Sequence, residues 1–130
     1  MEKKSLIYYL VQLARNKHRV EITNQLGHGI LLQLRCKNSN RGDTGNKELT
    51  FNNTFIDIFP DPGPVTFMGR WEVHCDLWYD KYHNRFEAYR SAAFKRCGQR
   101  RLWTAKKDGI YFRRGYDKPS EFERHWNYVP

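Results

Sequence analysis

Cysteine and histidine are the residues of this chain with the chemistry to act as nucleophile, base, metal ligand or covalent cross-link. There are three cysteines and five histidines in 130 residues. Cys36 ends the apolar run Ile30-Leu31-Leu32-Gln33-Leu34-Arg35-Cys36, Cys75 sits inside Trp71-Glu72-Val73-His74-Cys75-Asp76-Leu77, and Cys97 opens a basic stretch that leads to Trp103. A thiol nucleophile needs a base within reach and a group to orient that base. His74 adjoins Cys75, but neighbours along a strand point to opposite faces, so the two do not share a site. His18, His28, His83 and His125 stand in no recognisable local signature, and no nucleophile elbow, phosphate loop or metalloprotease helix is present. Structural zinc calls for closely spaced ligand pairs, and no two cysteines are close. The expectation is no catalytic residue, no metal and no cofactor. What remains for the cysteines is cross-linking: three thiols allow one internal pair among Cys36, Cys75 and Cys97 and leave one over. Such a bond persists only in an oxidising compartment.

The elements that position these residues read as strands. Arg19 to Asn24 alternates polar and apolar residues, and Ile30 to Cys36 forms a second run beyond Gly27-His28-Gly29, so a hairpin is expected from Val20 to Cys36. Lys47 to Phe51 and Thr54 to Phe59 follow, and then Pro60-Asp61-Pro62-Gly63-Pro64, an exposed connection because proline lacks the ladder donor. Val65 to Met68 reads as a short edge piece. Arg70 to Tyr79 places Trp71, Val73, Cys75 and Leu77 on one face. Asp80-Lys81 is read as a hairpin tip, with Phe86 and Ala88 turned inward on the return strand. Ser91 to Gln99 reads as a basic loop or short helix. Lys107-Asp108-Gly109 between apolar runs signals a tight hairpin centred on Asp-Gly. The segment from Tyr116 carries Phe122, Trp126 and Tyr128, which either dock or fray. The sum is an all-β fold, a small antiparallel β-sandwich of seven or eight strands. Three parts are expected: an N-terminal segment 1–18, a sandwich domain 19–115 and a tail 116–130. The first part reads either as a degenerate signal peptide or as a short amphipathic helix. No apolar run is long enough to cross a membrane as a helix.

Composition is that of one folded domain, 39% hydrophobic and 15% aromatic, with a net charge of +9. The charge is concentrated: between Lys81 and Lys107 nine Lys and Arg residues face the single carboxylate Glu87. Such a stretch attracts acidic partners. Basic residues interleave with aromatics from Trp78 to Phe86, at Arg100 to Trp103 and at Tyr111 to Arg114. That pattern also suits an intracellular β-barrel that stacks bases and holds phosphates. The strict alternation from Trp71 to Leu77 argues instead that the aromatics form a core face. Arg41-Gly42-Asp43 is ordinary turn chemistry, and Asn52-Asn53-Thr54 fits the N-glycosylation acceptor in a secreted chain.

Taken in order, these segments resemble the plant self-incompatibility S-protein homologues, the family of the poppy stigma S-proteins. Val20-Glu21-Ile22-Thr23-Asn24-Gln25-Leu26 is similar to the opening strand of that family, and Leu34-Arg35-Cys36-Lys37-Asn38 to its strand ending in a His-Cys-Lys-Ser type sequence. Glu72 to Trp78 resembles its Phe-x-Cys-x-Phe-x-Trp strand. Phe55 to Phe59, Phe86 to Tyr89, and Cys97 through Trp103 to Phe112 complete the match. The usual fourth cysteine just before the Trp is missing, and Arg101 and Leu102 stand there. The resemblance implies a small, secreted, disulfide-stabilised β-sandwich with no enzymatic activity, of the kind that in self-incompatibility is recognised by a pollen membrane protein. It implies a cell-surface membrane receptor as partner rather than nucleic acid, no membrane insertion, and a monomer unless the odd cysteine pairs between chains. The loop residues expected to meet that receptor are Asp80, Lys81, His83, Arg96, Arg100 and Arg101.

Overall fold

The structure is a computed structural model, which describes residues 17–39, 41–60, 71–91 and 98–130. It is all strand. In chain order the strands are β1 (Lys17–Asn24), β2 (Leu32–Asn38), β3 (Gly42–Asp43), β4 (Lys47–Leu49), β5 (Thr54–Pro60), β6 (Glu72–Tyr79), β7 (Tyr82–Arg90), β8 (Arg100–Lys106), β9 (Gly109–Arg113), β10 (Glu121–Arg124) and β11 (Asn127–Tyr128). One sheet runs β10-β9-β8-β1-β5; the other runs β11-β7-β6-β2-β3, with β4 also paired to β2. The sandwich is the expected one, with seven strands of five or more residues and four short edge pieces.

Period-two alternation builds the core. Val20 and Ile22 of β1, Leu32, Leu34 and Cys36 of β2, and Val73, Cys75 and Leu77 of β6 all turn inward and are buried. Phe86 and Ala88 of β7 join them as expected, with Phe59, Trp103, Ala105 and Ile110 from the opposite sheet. Cys36 and Cys75 face each other across the β2–β6 ladder, with Cα atoms 4.1 Å apart, and form a disulfide. That settles which pair forms. Cys97 and Arg96 lie outside the described residues, as do the segment 1–16, the Val65–Met68 piece and most of the stretch read as a basic loop.

Three expectations are corrected. β1 and β2 are not a hairpin. β1 pairs with β5 and β8, while β2 belongs to the other sheet. The intervening residues cross the end of the sandwich and drop Leu26 into the core, 2% exposed, which a two-residue turn has no room to do. Nor is every pairing antiparallel: β1 and β8 run parallel, Arg19 beside Arg100 through Asn24 beside Ala105. Finally, the β8–β9 turn is centred one residue early. Lys106 pairs with Gly109, so Lys107 and Asp108 are the turn and Gly109 opens β9. There the glycine is required by close approach, because a Cβ would lie 2.7 Å from the Arg124 carbonyl and against the Phe122 ring.

The last residues dock. β10 adds to β9 of one sheet and β11 to β7 of the other, so the segment straps the two layers together. Asn84 Nδ2 donates to the His125 carbonyl at 2.6 Å, and Trp126 Nε1 donates to the Lys106 carbonyl at 2.7 Å. Among the described residues no helix is long and apolar enough to cross a membrane.

Candidate functional site

Connections gather at the two ends of the sandwich, and each end has its own chemistry. At one end lie the turn 80–81, the turn 107–108, the crossing 25–31 and the turn 50–53. They are neighbours because β1 and β8 run parallel and finish together, while β2 starts where β6 finishes. Asn24 organises this end. Fully buried, its Nδ2 donates to the carbonyls of Ile30 and Leu49, both at 2.8 Å, and its Oδ1 accepts from the Leu26 amide at 2.9 Å. Both amide protons and the carbonyl oxygen of the side chain are thus engaged, and the crossing 25–31 and the end of β4 are fastened to one strand end. Asn52 takes a positive φ of 70° at the tip of its turn, and its Oδ1 accepts from Gln25 Nε2 at 2.8 Å.

The hairpin tip is stiffened by rings. Asp80, at φ 49°, closes a two-residue turn with Lys81. Tyr79 and Tyr82 stack at 5.1 Å, Trp126 meets Tyr79 edge-on at 5.0 Å, and Tyr128 packs on Tyr82 at 5.5 Å. Burial, then the nearby Tyr82 and Asp80, raise the Tyr79 pKa, so its hydroxyl stays protonated. Between the crossing 25–31 and the turn 50–53 an open cleft is lined by His28, Leu31, Phe51 and Asn52, with the His28 and Phe51 rings 4.6 Å apart and Leu31 44% exposed. Sequence reading missed His28, Leu31 and Phe51 as site residues. The Asn-x-Leu and Asn-Asn-Thr segments that bracket them were the available signal.

The six predicted contact residues are not brought together. Asp80 and Lys81 form the tip. His83 lies on the outer sheet face, where its Nε2 is 3.2 Å from Asp76. Burial opposes ionisation of Asp76, but hydrogen bonds from Arg85 and His83 prevail and lower its pKa. Arg100 starts β8 at the other end, roughly 20 Å away over a seven-residue strand. Arg101 turns toward the interior, its guanidinium 5.6 Å from the centre of the Phe112 ring. Arg96 falls outside the described residues.

The chemistry-bearing groups are largely engaged. Cys36 and Cys75 are disulfide-bonded and buried. His74 sits on the outer face opposite Cys75, as the strand geometry required, and contacts Glu72 at 3.0 Å and Glu87 at 3.7 Å. These three groups have metal-ligand character, yet both oxygens of Glu87 accept hydrogen bonds from Arg90 at 2.7 Å, and a guanidinium opposes a dication there. His18 is buried, with Nδ1 accepting from the Gln99 amide at 2.8 Å. Of the interleaved aromatics, Phe86 and Trp103 are core, and Phe112 lies under the guanidinium groups of Arg101 and Arg114.

With this geometry established, comparison with known proteins is decisive for family. Residues 19–126 match the family described as plant self-incompatibility protein S1. S-protein homolog 25 of Arabidopsis thaliana is 35% identical over 127 residues, covering 95% of this chain and 91% of the relative. S-protein homolog 14 of the same plant is 38% identical over 116 residues, covering 85% and 78%. A solved structure of a Self-Incompatibility Protein Homologue, from a widespread family of small, highly stable, secreted plant proteins, superposes with a TM-score of 0.67 at 29% identity. That match covers 86% of this chain and 96% of the other. A strand order with one disulfide-linked sheet, the same residues that suggested the resemblance, and these relatives aligned over 78% to 96% of their own length agree: the chain belongs to the plant self-incompatibility S1 family of S-protein homologues.

Proposed function

We propose that this S-protein homologue is a secreted, non-enzymatic recognition ligand that meets a cell-surface receptor with the loop end of its sandwich. The observation that carries the reading is the rigidity of that end. Asn24 fastens the loops on either side of it with saturated hydrogen bonds, and the Tyr79-Tyr82-Trp126-Tyr128 cluster braces the Asp80-Lys81 tip. A surface held in one shape loses little conformational entropy on binding. Aromatic anchors such as the 58% exposed Tyr128 are the residues that dominate interface energies. Lys81 and the rest of the positive charge act mainly on association rate. The buried disulfide is what an oxidising compartment permits, and the structural neighbour comes from a secreted family.

The test is binding of labelled protein to plant cell-surface membranes, with Leu31→Asp and Lys81→Glu as variants. Leu31→Asp slows nothing in folding, since Leu31 is half exposed, but it weakens binding at least about tenfold by placing a charge in the contact. Lys81→Glu lowers the association rate. Unchanged binding by both variants removes the loop end as the contact surface. Secretion is read separately, from the intact mass and thiol count of protein recovered outside plant cells. An uncleaved chain retained inside, with Cys36 and Cys75 reduced, overturns the extracellular reading. The same intact mass, taken before and after endoglycosidase, reads glycosylation of the exposed acceptor Asn52.

A further inference from the structure

The end of the sandwich opposite the receptor-facing loops carries a different kind of surface. On the outer face of the β1–β8 pair, an open cleft is lined by Lys17, Arg19, Ile58 and Arg100. Lys17 and Arg19 are two apart on β1, hence about 7 Å from each other on the same face. Arg19 is the cross-strand neighbour of Arg100 in the parallel ladder, about 5 Å away. Three cations thus stand close together on two adjacent strands. Tyr116 fixes two of them. Its hydroxyl accepts from Arg19 Nη1 at 2.9 Å and donates to Glu21, and its ring lies 5.0 Å from the Arg100 guanidinium carbon. Glu21 is the carboxylate nearest Arg19, at 3.8 Å. Among the described residues no carboxylate pairs with Lys17 or Arg100. Three like charges held together with one counter-charge repel each other and are relieved by a bound anion.

We infer that this face binds an acidic polysaccharide, a chain of uronic acid carboxylates outside the cell; the extracellular setting rests on the proposed function above. Three features select that ligand. The cleft is open to solvent rather than enclosed, which suits a polymer lying across strands. Guanidinium groups pair with carboxylates in a two-point geometry, and cations on two adjacent strands offer partners to more than one charged unit of a chain. Finally, the aromatic ring on this face, Tyr116, has the guanidinium groups of Arg100 and Arg113 over it at 5.0 and 6.0 Å, so a stacked nucleic-acid base would compete with them. One end of the molecule would then hold it to an acidic matrix while the other remains open to a receptor.

The experiment uses the purified, oxidised full chain and polygalacturonate as probe, with fully methyl-esterified polygalacturonate and single-stranded oligonucleotide as alternative ligands. Lys17→Gln with Arg100→Gln is compared with Lys37→Gln with Lys47→Gln, a pair on the other sheet that lowers net charge by the same amount. Unfolding midpoints confirm that both variants fold; if the first does not, Arg100→Gln alone replaces it. The expected result is binding to polygalacturonate and not to its methyl ester, weakened about fivefold by the cleft pair and unaffected by the control pair. Equal weakening by both pairs shows only general charge attraction and overturns the proposal. So does equal or tighter cleft-dependent binding of the oligonucleotide, or no binding to polygalacturonate. The measurement is made on isolated protein, so failure to be secreted or to find a receptor leaves it standing, and its failure leaves the receptor reading standing.

Discussion

The side-chain amide of Asn24 donates to the main-chain carbonyl of Leu49 at 2.8 Å, tying the end of the inner strand β1 to the short strand β4 of the other sheet. Because the same amide also serves Ile30 and the carbonyl oxygen of the side chain serves Leu26, one residue bridges both layers. Asn24→Ala strands these buried partners and costs about 3 kcal/mol, measured as a lower urea midpoint. Hydrogen exchange accelerates at residues 25–31 and 49–53 well before it does in β6. An unchanged midpoint would show that water replaces the amide.

The Cys36–Cys75 bond closes a loop of 39 residues. In the chain-entropy account such a cross-link contributes about 4 kcal/mol. Cys36→Ala with Cys75→Ala lowers the unfolding free energy by about that much in non-reducing buffer. Reduction of the native protein lowers its melting temperature, while the double variant is indifferent to reductant. A double variant as stable as the native chain would mean that packing around the pair, not the cross-link, carries the stability.

Much of this was legible in the sequence, and the limits have physical causes. Strand identity came through where alternation was strict, as at Trp71 to Leu77, because burial on one face leaves a period of two. The family signal in Val20 to Leu26 and Glu72 to Trp78 was strong enough to give the sandwich. Partner choice was not legible. Nothing in Arg19 to Asn24 says that its neighbour is Arg100 to Ala105 in parallel, since pairing across some 80 residues leaves no local trace. The same holds for the candidate site: Lys17, Arg19 and Arg100 are joined only by that ladder, and charge counting along the chain placed Arg100 beside Lys81 instead. Asn24 reads as a strand-ending polar residue, and its role in fastening the crossing 25–31 to the end of β4 needs the third dimension.

Acid stability is set by opposed carboxylates. Hydrogen bonds from Arg35 hold Asp43 down to about 2, against an unfolded value of about 3.9. A carboxylate with a depressed folded value stabilises above the unfolded value and loses that contribution as the pH falls through the folded one. Asp43 therefore supports the fold down to about pH 4 and ceases to by about pH 2. Asp57 runs the other way: burial raises it despite Arg41 and Asn38. It weakens the fold at neutral pH and is relieved as it protonates. Urea midpoints from pH 7 to pH 2 check both signs. Asp43→Asn flattens the low-pH decline, and Asp57→Asn raises the midpoint at pH 7 by an amount that shrinks on acidification. A larger gain from Asp57→Asn at acid pH than at pH 7 would reverse the assignment.

Gly109 lets the C-terminal strap lie flat. A methyl group there meets the Phe122 ring and the Arg124 carbonyl at 2.7 Å. Gly109→Ala pushes β10 away and costs about 2 kcal/mol, seen as faster proteolysis between residues 114 and 130 with β6 and β7 still protected. Uniform loss of protection across both sheets would instead mark the strap as inseparable from the fold.

The parallel pairing of β1 with β8 has a consequence for biogenesis. An inner strand of one sheet, Lys17–Asn24, finds its second neighbour only when Arg100–Lys106 has been synthesised. Until then it has β5 alone, and Val20 and Ile22 lack the Trp103 side of their core. During translation or passage through a translocation channel the nascent polypeptide is therefore a partial layer with an open apolar flank, a state that chaperones retain and aggregation competes for. The β2–β6 ladder, complete by Tyr79, offers the earlier refuge, and oxidation of Cys36 with Cys75 is able to seal it before the first sheet closes. Order of assembly, half the sandwich stapled while the other waits, is thereby written into the strand map.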